Sequence, residues 1–356
     1  MSKETNDGQQ YPLTPRKSAS DATSTIDTPS RSSKTSNNGD AGTIMQWHSI
    51  YGPEASRVAW EADSDFRDIV TTIARGARHS AMRADSVKKF QDTRDKLLDR
   101  TEATLMERLM PILAKASRTS MEMHEAVIRD FDTDFLDKNL DTEFRRGCVP
   151  IPDLPSDTLL GGLLAKSPGI KNPKPDIVYG VSFDALSPEQ QVTANMLKES
   201  SQLSPGILYP FMIFEWKSTK GLFSEAQDQA RRGGAALVNA MAKLSSMAGS
   251  LSADEAERRP DSLTMAFSCV ISPNLAHIYV HFRQLRQDGK PEWYMAKVSG
   301  YQTDENEDVE QLRRDIHNIL DWGVLKRIKD IKKMFDDVRR NGAVELLSPV
   351  SKKRKA

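Results

Sequence analysis

The chain has 356 residues with 50 Lys and Arg against 50 Asp and Glu, so the formal net charge is zero and overall charge neither attracts nor excludes nucleic acid. No apolar run approaches the roughly 18 residues of a membrane span, and the polar N-terminus lacks the apolar segment of a signal peptide, so we expect no membrane partner. The cysteines, Cys148 and Cys269, lie far apart with no C-x-x-C pairing, so neither a disulfide framework nor a cysteine zinc site is indicated, and a reducing, intracellular compartment fits.

Two regions precede the predicted core. Residues 1–44 are rich in Ser, Thr, Asp, Asn and Gly with few aliphatic side chains, so we expect a disordered tail. Residues 45–140 follow a helical period and predict a helical part packed on the core. One amphipathic stripe comprises Phe66, Ile69, Val70, Ile73 and Ala74. A second comprises Val87, Phe90, Leu97, Leu98, Leu105 and Leu109, and Pro111 should kink or end that helix.

Residues 141–340 form the predicted core, and its first feature is a pair of strand-like runs. Both runs, 176–183 and 208–215, are rich in aromatic and β-branched residues. An antiparallel pairing of Phe183 with Leu208 would place Asp176 opposite Glu215, although a one-residue slip would break this match. The polar segment 184–206 between the runs is expected to form either a short helix or a mobile flap.

The second run ends in two charged residues. Alternation along a strand predicts one face made of Phe211, Ile213, Glu215 and Lys217. Apolar residues on both faces indicate a central strand covered on both sides. An ionised Glu and Lys are costly there unless they hold a metal, a phosphate or each other.

The rest of the core predicts a mixed α/β fold. Ser224 followed by Gln227 matches a capping box and predicts a helix through about Leu244, whose small residues would let it lie across the two strands. Strands are predicted at 264–271, 275–282 and 293–298, which gives a sheet of about five strands flanked by helices. A charged helical pattern covers 306–340, with a break at Gly323.

The charged strand ends suggest phosphodiester chemistry. Asp176 and Glu215 offer the hard oxygen ligands that Mg2+ (or Mn2+) prefers, and Lys217 is placed to orient a water or to stabilise developing charge. Lys174 and Lys220 flank the two motifs and add positive potential. The alternative is a surface ion pair on an ordinary strand. His277 and His281 are interpreted as sheet histidines rather than as metal ligands.

The motifs Pro175-Asp176 and Glu215-Trp216-Lys217, followed by a helix that carries Gln, resemble the PD-(D/E)XK nuclease superfamily with its restriction-endonuclease-like fold. The resemblance covers roughly residues 100 to 335 and is closest to the PD-(D/E)XK nuclease-like domain proteins common in fungi. It implies that Asp176 and Glu215 bind Mg2+ together with the Trp216 carbonyl, and that Lys217 is the catalytic lysine. It also implies a glutamine at the site: Gln227 or Gln229, with Gln229 preferred if Gln227 is engaged in the capping box. A further glutamate remains open among Glu107, Glu122, Glu125 and Glu143.

Residues 341–356 form a basic tail that ends in four consecutive cations, namely Lys352, Lys353, Arg354 and Lys355. This pattern matches a nuclear localisation signal read by a nuclear import receptor and predicts a nuclear protein. The alternative is a basic tail that touches nucleic acid directly.

Taken together, these patterns favour a Mg2+-dependent nuclease acting on nucleic acid, with DNA favoured as the substrate. The alternative is a catalytically inactive nuclease-fold module that binds nucleic acid or chromatin partners. A third hypothesis is a helix-rich scaffold whose strand acids form a structural ion pair. The oligomeric state stays open.

Overall fold

The computed structural model describes residues 45–46, 48–77, 84–114, 136–145, 148–150, 170–250 and 259–341. The expected N-terminal tail and the basic tail from residue 342 onward lie outside the described residues, as do residues 115–135 of the expected helical part. The strands are β1 (Ile50–Tyr51), β2 (Leu136–Leu140), β3 (Ile177–Ser182), β4 (Ile207–Trp216), β5 (Ala266–Ile271), β6 (Leu275–Leu285) and β7 (Pro291–Gln302). The helices are α1 (Pro53–Ala62), α2 (Ser64–Arg75), α3 (Ala84–Leu97), α4 (Glu102–Ala114), α5 (Pro188–Met196), α6 (Lys198–Ser201), α7 (Phe223–Met247), α8 (Asn306–Trp322) and α9 (Ile328–Arg340).

Within the described residues, seven strands form one mixed sheet in the order β1-β7-β6-β5-β4-β3-β2. The pairs β4–β5 and β1–β7 are parallel, and the other pairs are antiparallel. The five strands expected from the sequence are all present, and the predicted mixed α/β fold is confirmed. The two extra strands lie at the edges. One has only two residues and the other reads Leu-Asp-Lys-Asn-Leu, so neither carries the apolar alternation by which strands are recognised.

The register between β3 and β4 matches the expectation at one end and differs at the other. Ile177 pairs with Phe214, as an Asp176–Glu215 match requires, but Ser182 pairs with Ile207, so the expected Phe183–Leu208 pair is wrong. A bulge separates the two halves of the ladder, and Tyr209 in it has a φ of 40°. A Cβ on Gly180, which faces the bulge, would come within 2.9 Å of Pro210 Cα. Glycine is therefore needed where the bulged strand approaches.

The sheet is covered by helices on both faces. Gly233 and Gly234 of α7 lie directly against Ile213 and His281. On the other face, Phe267 packs edge-on against Trp322 of α8. The face of α7 towards the sheet is rich in Ala and Gly, whose side chains are small or absent. The helix therefore approaches the strands closely, as the sequence predicts.

The bulge also changes the face of the sheet on which the Phe211 side chain lies. Phe211 packs edge-on against Trp322 of α8, whereas Ile213 lies against α7. The predicted common face is therefore wrong for Phe211 and holds only from Ile213 onward. A bulge shifts the two-residue alternation, and the sequence gives no separate sign of it.

The N-terminal helices pack on the α8 face. Phe66, Val70 and Ala74 of α2 are buried as expected, but Ile69 is 43% exposed. The chain stays helical through Pro111 to Ala114, so the expected kink or end at Pro111 does not define the boundary of α4. The expected break at Gly323 is a short π-helical turn, Gly323–Arg327, where the Phe211 ring occupies the space that a side chain would need.

Two helix starts differ from the sequence expectation. The helix α7 starts at Phe223, and within the described residues its N-cap Leu222 provides no side-chain cap, so the Ser224–Gln227 capping box is wrong. A complete capping box instead joins Ser187 and Gln190 at the start of α5, in the polar segment between β3 and β4. That segment therefore contains a short helix. None of the helices in the described ranges is long and apolar enough to cross a membrane.

Candidate active site

Asp176 lies immediately before β3 and is bound to the neighbouring strand at two points. Its backbone N–H donates to the Phe214 carbonyl at 3.1 Å. Its carboxylate Oδ2 accepts from the Trp216 N–H at 2.6 Å. Because these bonds straddle residue 215, the side chains of Asp176 and Glu215 come to the same end of the β3–β4 pair. The juxtaposition expected from the sequence is therefore present.

Glu215 is the second-last residue of β4 and is only 1% exposed. Its Oε1 has no hydrogen-bond partner among the described residues. Burial raises the pKa of this carboxyl well above its usual range, and the nearby Asp176 raises it further, while Lys217 and Arg232 act in the opposite direction. A buried carboxylate with a bare oxygen is costly in isolation. A cation placed beside it would remove that cost.

The Asp176 carboxyl responds to the same surroundings. Burial raises its pKa to about 6, and the Trp216 N–H and the Lys217 ammonium oppose that shift. Burial is the larger cause of both shifts, and the nearby Asp176 carboxylate adds to the shift at Glu215, so the protein does not fully compensate the charge of the ionised pair. The pair is thus electrostatically prepared for a positive ligand.

Lys217 follows β4 and is largely buried. Its backbone N–H donates to the Ile271 carbonyl at 2.8 Å, which continues the β4–β5 ladder by one residue. Its Nζ lies 3.4 Å from Glu102 Oε2, at the start of α4. The ammonium is thereby held between Glu102 and the carboxylate pair, whose pKa values it lowers.

Glu102 is the site residue that sequence reasoning missed. Among the four glutamates considered for this place, Glu107 is exposed on α4 and Glu143 accepts from the Asn172 amide. Glu122 and Glu125 lie outside the described residues. The charge of Glu102 acts on both carboxylates of the pair. No local motif marks it, because only the packing of α4 against the end of β4 brings it there.

The helix α7 carries the two candidate glutamines, and its direction along β4 decides which of them is closer to the pair. Gly233 lies against Ile213, and Gln229 is one turn earlier, on the same helix face. The helix α7 follows β4 after a short connection and runs antiparallel to it. One helical turn from Gly233 towards the start of α7 therefore reaches Gln229 at the level of Glu215 along β4. Gln227 points elsewhere and donates to the Tyr279 hydroxyl at 2.6 Å. Gln229 is therefore the better placed of the two glutamines.

Arg232 also belongs to this face of α7. Burial lowers the pKa of its guanidinium, and the charge of Glu215 opposes that change. Its Nε has no hydrogen-bond partner among the described residues. Arg231 behaves differently, since it forms an ion pair with Asp228 at 2.9 Å.

The flanking lysines contribute less than their sequence positions suggest. Lys174 forms an ion pair with Asp141 at 2.7 Å, so part of its charge is already compensated. Lys220 is exposed. Within the described residues, neither lysine forms an ion pair with Asp176 or Glu215, and Lys217 is the lysine that matters for the pair.

The residues present fit a Mg2+ or Mn2+ ion that is bound by only a few protein ligands. Across the described ranges, no group of three or more His, Cys, Asp or Glu side chains is arranged around a common point. Mg2+ keeps several waters and commonly binds through one or two carboxylates plus substrate phosphate. Asp176 and the bare oxygen of Glu215 meet that requirement, and the Trp216 carbonyl is the third candidate ligand.

The two histidines of β6 have protein partners, as a sheet role implies. His281 is fully buried and its Nε2 lies 2.7 Å from Ser268 Oγ. Burial lowers its pKa to about 3. His277 Nδ1 lies 2.8 Å from the Tyr279 hydroxyl.

The fold and this site define the class: a mixed α/β protein with a buried carboxylate pair and a lysine at one end of its central sheet. Residues 89–335 match the family described as "Domain of unknown function (DUF7924)". That match spans more than half of the chain, so the protein belongs to this family. Comparisons with curated proteins and with solved structures give no match.

Proposed function

We propose that the protein is a Mg2+-dependent nuclease of the PD-(D/E)XK type that hydrolyses phosphodiester bonds in nucleic acid, with DNA as the favoured substrate. The observation that carries the proposal is the bare Oε1 of buried Glu215, next to Asp176 and within the field of Lys217. A carboxylate buried without a partner has a folding cost and is kept where a ligand binds.

The chain's own groups have distinct roles in this proposal. Asp176 and Glu215 would hold the cation, and the Trp216 N–H fixes the Asp176 carboxylate through its 2.6 Å bond. Lys217 orients the attacking water and stabilises negative charge as the P–O bond breaks. Glu102 limits where the Lys217 ammonium can lie. When bound, the cation polarises the phosphate and lowers the pKa of a coordinated water.

A nuclear location is part of the same proposal. It rests on the sequence of Lys352, Lys353, Arg354 and Lys355, which lie outside the described residues. A reporter fused to residues 341–356 should accumulate in the nucleus through an import receptor. Cytosolic retention of that reporter would refute this part.

The test of catalysis uses purified protein with end-labelled single-stranded DNA, duplex DNA and RNA, in Mg2+, in Mn2+ and in EDTA. The informative variant is Lys217→Met, which keeps most of the length of the side chain and removes its charge. The matched control is Lys220→Met, an exposed lysine three residues later. We expect cleavage only with the metals, a loss of about 10²- to 10³-fold in Lys217→Met and no loss in the control.

The outcomes separate three hypotheses. Cleavage that persists in EDTA and in Lys217→Met contradicts the proposal. Binding of nucleic acid without cleavage under any metal condition favours an inactive nuclease-fold module that binds nucleic acid or chromatin partners. A protein that neither binds nor cleaves is a scaffold whose Glu102–Lys217 pair is structural.

A further inference from the structure

A cavity of about 250 Å³ lies where the starts of two helices, α1 and α7, come together. Residues 52–55 at the start of α1 line one part of it, and the first turns of α7 line another with Ser224, Gln227, Asp228 and Arg231. None of the described lining residues belongs to the carboxylate pair. The volume is below the roughly 300 Å³ at which pockets for drug-sized ligands begin, so the cavity suits a small chemical group.

The start of α1 presents two backbone amides that have no acceptor within the helix. Its N-cap is Gly52, which has no side chain to cap the helix, and Pro53 has no N–H. The Ser56 N–H already donates to the Gly52 carbonyl at 2.9 Å. The N–H groups of Glu54 and Ala55 are therefore the orphan donors of this helix, at the positive end of its dipole. Both residues are exposed and line the cavity.

The start of α7 adds positive potential to the same cavity. Leu222, its N-cap, provides no side-chain cap within the described residues. The Glu225 N–H donates to the Leu222 carbonyl at 3.0 Å, but the N–H of Ser224 precedes the first acceptor of the helix. Ser224 is exposed and also brings its hydroxyl to the cavity. The positive ends of two helix dipoles therefore lie at one place.

Arg231 brings a full positive charge to these helix starts. Its side chain is only 7% exposed, and its Nη1 would lie 3.1 Å from a Cβ on Gly52, so glycine gives the guanidinium its room beside α1. Its Nη2 donates to Asp228 Oδ1 at 2.9 Å. Its Nε is buried and has no hydrogen-bond partner among the described residues. A buried cation with a bare donor beside two positive helix ends is costly until an anion joins it.

The two acids that line the cavity do not supply that anion in full. Asp228 pairs with Arg231 through one nitrogen only. Burial still lowers the pKa of the Arg231 guanidinium, although the charge of Asp228 opposes this change. Glu54 is exposed, and within the described ranges it forms no ion pair with Arg231. The guanidinium is thus only partly compensated, which leaves a place for a ligand of negative charge.

We propose that this cavity is a phosphate-binding site, in which Arg231 and the backbone amides at the start of α1 donate to the oxygens of one phosphate group. The start of α7 adds favourable potential. A phosphate offers several acceptor oxygens and a negative charge, which match a guanidinium fork and amides at a helix start. The site does not depend on nuclease activity. The same chemistry fits free inorganic phosphate and the terminal phosphate of an oligonucleotide.

The first experiment titrates the purified protein with inorganic phosphate by calorimetry near pH 7, with chloride added to keep the ionic strength constant. The informative variant is Arg231→Lys, which keeps the charge and the pairing with Asp228 but loses the planar fork. We expect it to weaken phosphate binding about tenfold. Binding of phosphate to the wild type with equal affinity in Arg231→Lys would contradict a role for the fork.

Two variants at exposed positions test the site without altering a buried residue. Ser224→Asp adds a negative charge at the cavity and should weaken phosphate binding about fivefold, whereas Glu54→Gln removes one and should strengthen it about threefold. The matched control is Glu307→Gln, an exposed acid in the first turn of α8, which should bind as the wild type does. The melting temperature of each variant without phosphate checks that it is folded.

A second experiment identifies the source of the phosphate. Fluorescence anisotropy in EDTA compares an oligodeoxynucleotide that carries a 5′-phosphate with its 5′-hydroxyl twin. Tighter binding of the phosphorylated strand, reversed by inorganic phosphate and lost in Arg231→Lys, supports the site with a terminal phosphate as its ligand. Equal binding of the two strands, with phosphate bound in calorimetry, supports the site with free phosphate as its ligand.

Two outcomes refute the site. One is a wild type that neither binds inorganic phosphate nor distinguishes the two strands. The other is phosphate binding that is the same in Arg231→Lys, Ser224→Asp and Glu54→Gln as in the wild type, because the phosphate then binds elsewhere. Neither outcome bears on cleavage at Asp176 and Glu215, so the two proposals fail separately.

Discussion

Two buried carboxylates, Glu215 in β4 and Asp315 in α8, show how the same group can serve a fold or a site. Asp315 is 0% exposed and accepts from the Tyr301 hydroxyl and the Gln311 amide, with Arg75 at 3.9 Å. Burial raises the pKa of both acids, but hydrogen bonds oppose the shift at Asp315, whereas another carboxylate increases it at Glu215. A satisfied buried acid stabilises packing, and an unsatisfied one is ready for a ligand.

The largest expected effect is on catalysis, from Glu215→Gln. The variant keeps the shape and removes the charge that would bind the cation, so nuclease activity should fall by about 10³-fold. The melting temperature in EDTA should stay the same or rise, because a neutral amide has a smaller desolvation cost than a carboxylate. Thermal unfolding and cleavage assays on the same preparation check both parts. Full activity in this variant would remove Glu215 from the site.

Asp315→Ala should give the opposite profile. It leaves the buried Tyr301 hydroxyl and the Gln311 amide without their acceptor, so the free energy of unfolding should fall by about 3 kcal/mol. The folded fraction should still cleave nucleic acid at the wild-type rate. Urea denaturation and activity per folded molecule measure these effects, with the exposed Asp304→Ala as the control. If the activity of the folded fraction is lost as well, the two acids do not have separate roles.

The pH dependence of stability should report Asp176 directly. Its pKa of about 6 lies above the ordinary value of 3.8. The metal-free folded state therefore binds more protons than the unfolded state. The stabilisation of the folded state that arises from this proton binding is fully present below about pH 4 and is lost as pH rises through about 6. Because Asp176 is partly exposed and therefore screened by solvent, we expect it to change the free energy of unfolding by about 2 kcal/mol across this pH range.

The measurement compares the wild type with Asp176→Asn by urea denaturation in EDTA between pH 4 and pH 7.5. The difference between the two proteins should change across this window, and added Mg2+ at pH 7 should restore stability to the wild type only. A difference that is independent of pH would show that the Asp176 carboxyl has its ordinary pKa in the folded protein.

Glu102→Gln should have the smallest effect on stability. The Glu102 side chain is 38% exposed in its pair with Lys217, so the free energy of unfolding should change by less than about 1 kcal/mol. The cleavage rate should fall about tenfold, less than for loss of the Lys217 charge itself, because the lysine is only less well positioned. Glu107→Gln, on the same helix, serves as the control. Equal rates for both variants would limit Glu102 to a structural ion pair.

Much of the site follows from local pattern. Asp176, Glu215 and Lys217 stand at the ends of two apolar strands, and strand alternation with an antiparallel pairing is enough to bring the two acids together. The bulge at Tyr209 could not be expected, since it depends on close approach to Gly180. Glu102 could not be found either, because more than a hundred residues separate it from Lys217, and no periodicity links them.

The sequence by itself determined the mixed α/β class, the five inner strands and the three charged residues at their ends, because these depend on side-chain period and burial within short segments. Only the tertiary structure decided the edge strands, the glutamate beside the lysine and the unsatisfied state of Glu215. Those properties arise from the packing of distant elements, which controls the desolvation and the hydrogen-bond partners of each charge.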